Sequence, residues 1–135
     1  MSGSRTHIFS KSLFQSSAPF SHVVIAGGVG YVSGIIGQRW DNGALVDADV
    51  RLQARAMFDN LETALNEAGL GLADLVATRL YLLDYADFEA INEIYRERLS
   101  APFPARTTLQ VAALPLGARV QIDATVDALA KSITP

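Results

Sequence analysis

The stretch ARVQIDATVDA, residues 118–128, alternates without a break. Val120, Ile122, Ala124 and Val126 fall on one side, and Arg119, Gln121, Asp123 and Thr125 on the other. Side chains of a strand point to opposite faces with period two, so this segment specifies a strand with one buried and one polar face. A sheet built on it needs cover on one face only. Two segments of helical period supply that cover. From Asp49, DVRLQARAMFDNLETALNEAGL places Val50, Ala54, Met57, Phe58, Leu61, Ala64 and Leu65 on one stripe. Asp47 or Asp49 can cap its start, and Gly69 suits a left-handed stop. ADFEAINEIYRERL turns Phe88, Ile91, Ile94, Tyr95 and Leu99 inward, and Pro102 and Pro104 end it.

The other strands follow from composition and turns. HIFS, from His7, is a candidate short edge strand, and QSSAPFSH after it is a loop by its Ser and Pro content. VVIAGG and VGYVSGIIG form a hairpin pair around Gly27-Gly28, and Asn42-Gly43 marks a second tight turn. LVATRLYLLDY is rich in branched and aromatic residues, as strands are. ARTTLQVAAL and ARVQIDATVDAL are two more, separated by Leu114-Pro115-Leu116-Gly117. The order is strand, strand, strand, helix, strand, helix, strand, strand. That order predicts an α+β fold: a mixed six-stranded sheet with two helices packed on one face, in a single domain over residues 1–135.

Composition narrows the function classes. Half the residues are hydrophobic and the mean hydropathy is +0.22, yet no run approaches the roughly 18 apolar residues of a membrane span. The surplus apolar surface is expected to face another subunit. A net charge of −3 and a pI of about 5.2 argue against a nucleic-acid partner, whose footprint is a basic stripe. With no cysteine, thiol catalysis, disulfides and thiolate metal sites are excluded. That usage and the polar start MSGSRTHIFSKSLFQ fit a cytoplasmic protein. His7 and His22 lack the spacing of a metal pair, so no metal site is expected. GGVGYVSG matches neither glycine pattern of the phosphate-binding loops and runs into a strand.

One residue stands out as a ligand-binding candidate. Arg106 follows Phe-Pro-Ala at the start of a strand, where a rigid guanidinium fork can hold a carboxylate through two parallel hydrogen bonds. A surface or interface salt bridge is the competing use. Thr108 shares its face, and its backbone N–H can add a donor if that edge of the strand is unpaired.

FPARTTLQVAALPLGARVQID resembles the C-terminal signature of the Rid/YjgF family, the reactive-intermediate deaminases also called L-PSP endoribonucleases. That signature runs Pro-Ala-Arg, a short strand, Leu-Pro, a small loop, then a hydrophobic–Glu–hydrophobic step. APFSH, VSG, DVRLQARAMFDNLETALNEAGL and DLVATRLYLLDYADFEAINEIY match as well, so the resemblance spans about residues 17 to 128. It implies a chorismate-mutase-like fold and a homotrimer with clefts between subunits, needing no cofactor. It implies that Arg106 grips the carboxylate of a 2-imino acid or its enamine tautomer, helped by the Thr108 N–H. Ser33, Gly34 and Asn92 are then expected to line the cleft.

Two positions depart from the family pattern. The family glutamate, thought to hold and activate the attacking water, is here Gln121, between Val120 and Ile122. An amide can position a water but cannot accept its proton. The tyrosine common in the N-terminal loop is here Phe20, so a hydroxyl is missing. Asp123 shares the face of Gln121, but a two-residue step of about 7 Å keeps it from replacing that group directly. Three functions are therefore weighed: hydrolytic deamination of small 2-imino or enamine carboxylates to 2-oxo acids with release of ammonia; a trimer that binds a small carboxylate metabolite but turns it over poorly; and, least supported by the charge balance, an endoribonuclease.

Overall fold

The computed structural model describes residues 4–129. The elements in chain order are β1 (Arg5–Ile8), β2 (Val23–Ala26), β3 (Val29–Ile35), α1 (Val50–Glu67), β4 (Leu75–Leu82), α2 (Phe88–Arg98), β5 (Ala105–Gln110) and β6 (Val120–Asp127). The strands form one sheet in the order β1-β2-β3-β6-β4-β5. All neighbours are antiparallel except β4 and β5, which run parallel through the α2 crossover. The expected element order and six-stranded mixed sheet are thus present.

Local chemistry explains the elements. Gly27 and Gly28 both take positive φ, 58° and 77°, which suits a tight hairpin turn and lets β2 and β3 pair from Val23–Val32 to Ala26–Val29. Asp49 caps α1, its side chain accepting from the backbone N–H of Arg51 and Leu52. The α1 stripe is buried as the spacing predicts: Ala54, Met57, Phe58, Leu61, Ala64 and Leu65 have no exposed surface. They pack with Ile91 and Ile94 of α2 against Leu80, Leu82, Val120, Ile122 and Val126 of the sheet. Both helices cover this one face. Charged pairs tie the helices together outside the core: Arg51 to Glu93 at 3.0 Å and Arg55 to Glu97 at 2.9 Å.

Two boundaries differ from expectation. β5 stops at Gln110 rather than Leu114, because β4, its one partner among the described residues, ends at Leu82. Beyond it, Pro115–Gly117 forms a short 3-10 turn in which Leu116 takes φ 59°. β6 starts at Val120, so Arg119 leaves the polar face on which the alternation put it. Its guanidinium instead grips both oxygens of Asp87, at 2.7 and 3.1 Å, and tethers the start of α2.

Among the described residues, no helix covers the opposite face of the sheet. Gln121, Asp123 and Thr125 of β6 lie there in register with Tyr81, Arg79 and Ala77 of β4. Thr107 and Leu109 of β5 and Tyr31 of β3 extend the surface. Leu109 and Tyr31 are each about half exposed. No helix of the described residues is long and apolar enough to cross a membrane.

Candidate functional site

Arg106 is the second residue of β5, at the free edge of the sheet and on its helix-covered face, in register with Thr78. Its guanidinium lies over the Tyr95 ring at 4.6 Å and the Phe88 ring at 5.4 Å, both from α2. Its Nε donates to Thr108 Oγ1 at 2.9 Å, which fixes the fork from below. No carboxylate pairs with it among the described residues, and its Nη2 is buried with no hydrogen-bond partner. Burial pushes its pKa down, against weaker raising effects of Tyr95 and Tyr85. The group nevertheless stays charged, as guanidinium does in proteins. A desolvated cation held rigid and left without an anion is a prepared carboxylate site.

The surroundings agree. A cleft of about 260 Å³, lined by Asn92, Tyr95, Arg96, Phe103, Pro104 and Arg106, opens over the guanidinium. Asn92, buried on α2, has an Oδ1 with no partner. Its Nδ2 makes only a long 3.4 Å contact with Glu89. An unused donor and an unused acceptor therefore lie buried in residues that line one cleft. Thr108 adds a third group. The N–H of Val111 donates to Leu82 O, and the alternation of the strand directs the Thr108 N–H to the free edge.

The other expected residues gather elsewhere. Gly34 sits in the irregular stretch of β3 beside β6, and a Cβ there would fall 2.7 Å from Gln121 Nε2. Only glycine lets the Gln121 amide lie flat on this backbone. Phe20 and Gly34 line a smaller cavity of about 70 Å³. The Ser33 hydroxyl donates to Ser21 O, so its proton is committed to the N-terminal loop. Phe20 packs edge-on against Phe9 and His22, at 5.6 and 5.0 Å between ring centres.

Within one chain these two groups do not meet. Gln121 is in register with Tyr81 on the open face, whereas Arg106 is in register with Thr78 on the helix face. They also lie two strands apart, about 10 Å across the sheet. Asp123 is no substitute base: one oxygen receives Arg79 Nε and the other receives the Tyr81 hydroxyl at 2.6 Å. Sequence reasoning assigned Tyr95 and Phe88 to the core and missed their role as a platform for Arg106. Their place on the α2 turns flanking Asn92 was the available signal.

His22 is 6% exposed, and its Nδ1 accepts the Ser10 N–H at 2.8 Å. Burial lowers its pKa from 6.5, outweighing the raising effect of Glu67. The folded protein thus binds the proton less well than the unfolded chain. That stability is complete above about 6.5 and drains away as pH falls through the lower folded value. Thermal midpoints measured from pH 7.5 to 5 are expected to fall across this window, and His22→Gln is expected to flatten the slope. Identical slopes for the two proteins would contradict it.

Comparison with known proteins shows the family. The family model described as Endoribonuclease L-PSP matches residues 10–128. The Homo sapiens protein named 2-iminobutanoate/2-iminopropanoate deaminase is 39% identical over 78% of this chain and 77% of its own length. The Dermatophagoides farinae protein of the same name is 35% identical over 83% and 88%. Among solved structures, RidA from an Antarctic Psychrobacter superimposes with a TM-score of 0.85 at 32% identity, covering 90% of this chain and 98% of that one. Escherichia coli TdcF with bound serine superimposes with a TM-score of 0.83 at 29% identity, with the same coverage. A match over nearly all the described residues, joined to the Pro-Ala-Arg strand and its sheet order, makes this chain a member of the L-PSP endoribonuclease, or Rid/YjgF, family.

Proposed function

We propose that the protein hydrolyses small 2-imino carboxylates, and their enamine tautomers, to 2-oxo acids and ammonium. The observation that carries this is the Arg106 guanidinium, stacked, anchored by Thr108 and without an anionic partner among the described residues. A substrate carboxylate takes its Nη2 and the edge N–H of Thr108. Asn92 Oδ1 accepts from the imine nitrogen. Water adds to the carbon of the protonated C=N, forming the C–O bond. One proton passes from that oxygen to nitrogen, the C–N bond breaks as ammonia leaves, and the ammonia takes the remaining hydroxyl proton as the carbonyl forms, giving ammonium. The iminium charge makes the carbon electrophilic, so orientation and electrostatics can supply much of the acceleration. No step requires a cofactor or metal.

Because Arg106 and Gln121 occupy opposite faces of one sheet, the complete site is proposed to form between copies of a cytoplasmic, chorismate-mutase-like homotrimer. One copy supplies Arg106, Thr108 and Asn92; its neighbour supplies Phe20, Ser33, Gly34 and Gln121. The uncovered face, with Leu109 and Tyr31 about half exposed, supports such packing. The relatives named for 2-iminobutanoate and 2-iminopropanoate deamination, and the one crystallised with serine, support a short carboxylate as ligand.

A second possibility has its own support. Gln121 deprives the site of a base, which favours a trimer that binds such acids without rapid turnover. Following 2-iminopropionate, generated by an amino-acid oxidase, with and without the protein separates the two. Accelerated decay is expected. Decay no faster than in buffer, with carboxylate binding still seen by calorimetry, would replace the deaminase by the binder. The net charge of −3 weighs against RNA as substrate.

A further inference from the structure

A second arginine lines the cleft above Arg106. Arg96 lies on α2 one turn beyond Asn92 and lines the same cleft, at its exposed rim. Its neighbours in sequence offer it nothing. Glu93 is taken by Arg51 through two contacts, and Glu97 by Arg55 through two more. Glu89 stands seven positions away, about 10 Å along the helix axis.

The pattern across the molecule sharpens this. Arg39 pairs with Asp41, Arg79 with Asp123, Arg119 with Asp87, and Arg98 with both Asp59 and Glu62. Among the described arginines, only Arg5, Arg96 and Arg106 have no carboxylate within ion-pair distance. Arg5 belongs to β1 at the far edge of the sheet. The other two share one cleft. Of the charged side chains that act on Arg106, Arg96 disfavours its cationic form and Glu89 favours it. Two like charges facing one crevice repel, and an anion between them relieves both. One carboxylate satisfies the inner fork and leaves the outer one unmatched.

We propose that Arg96 is a second anion-binding residue, so that the cleft prefers 2-imino acids carrying a distal carboxylate over those with a plain alkyl tail. The α-carboxylate sits deep on Arg106, and the distal one stays near water at Arg96. The volume of about 260 Å³, close to the lower limit of small-ligand pockets, suits dicarboxylates of four to six carbons. This specificity rests on Arg106 being the primary carboxylate site.

The test compares the product analogues 2-oxoglutarate and 2-oxopentanoate, which share a five-carbon chain and differ in the distal carboxylate. Calorimetry at low salt is expected to show 2-oxoglutarate binding about fivefold more tightly, as one rim ion pair allows. Arg96→Ala is expected to erase that preference by weakening 2-oxoglutarate more than 2-oxopentanoate, and Arg96→Lys to restore part of it. Raising the salt is expected to shrink the preference. Equal affinities in the wild type, or a preference surviving Arg96→Ala, overturns the Arg96 assignment alone. Affinity for both acids retained in Arg106→Ala, or no wild-type binding of either, overturns the primary site instead.

Discussion

Arg106→Ala is expected to abolish measurable binding of small 2-oxo acids and to lower kcat/KM for imine hydrolysis by roughly 30-fold to several thousand-fold. That range corresponds to the 2–5 kcal/mol lost when one partner of a buried, hydrogen-bonded charge pair is truncated. The upper half applies if both carboxylate oxygens engage the fork. Stability is expected to change little. The side chain loses its stacking on Tyr95 and Phe88, but a desolvated charge with an unpartnered Nη2 disappears with it. Arg106→Lys keeps the charge but not the two-pronged geometry, and is expected to recover only a minor part of the affinity. Calorimetry with pyruvate, paired with a thermal melt, checks both halves. Unaltered pyruvate affinity in a folded Arg106→Ala protein would remove the carboxylate clamp.

The second large effect runs in the opposite direction. Gln121→Glu is expected to raise the rate of 2-iminopropionate hydrolysis by about 10², the low end of the gain a positioned general base supplies. The low end is chosen because a protonated imine needs only a modest base. The physical case comes from the neighbours of Gln121. Its amide lies on Gly34 and cannot take a proton from water. Both oxygens of Asp123 are engaged by Arg79 and Tyr81. The Nδ1 lone pair of His22 is occupied by the Ser10 N–H. None of these three groups presents a free base, so a carboxylate introduced at 121 would be the first. A rate unmoved by the substitution, in a protein that still binds pyruvate, would show that the amide is not what limits turnover.

Some of this architecture was open to inspection in the residues themselves. The alternation from Val120 to Val126 and the stripe from Val50 to Leu65 are local periodicities, and a period fixes which face of an element is buried. Gly27-Gly28 and the Asp49 cap are likewise local, because a positive φ or a first-turn N–H needs a particular side chain at a particular position. The element order followed, and with it the α+β class. Arg119 shows where local reasoning stops. Its parity put it beside Gln121, but Asp87, far away in sequence, drew it off the face through two hydrogen bonds.

The site divides along the same line. Side-chain chemistry and strand spacing singled out Arg106 and Thr108, whereas Asn92, Gln121 and Gly34 entered through the resemblance to the Rid/YjgF family. Tertiary structure decided how they stand to one another. Parallel pairing of β5 with β4 turned Arg106 toward α2, while antiparallel pairing of β6 with β4 turned Gln121 the other way. It also decided that Arg106 lacks an anion and that Arg96 faces the same cleft, since which carboxylates are consumed depends on helices packed side by side. Periodicity is written along the chain. The choice of partner for a charge is a long-range competition that only the folded packing resolves.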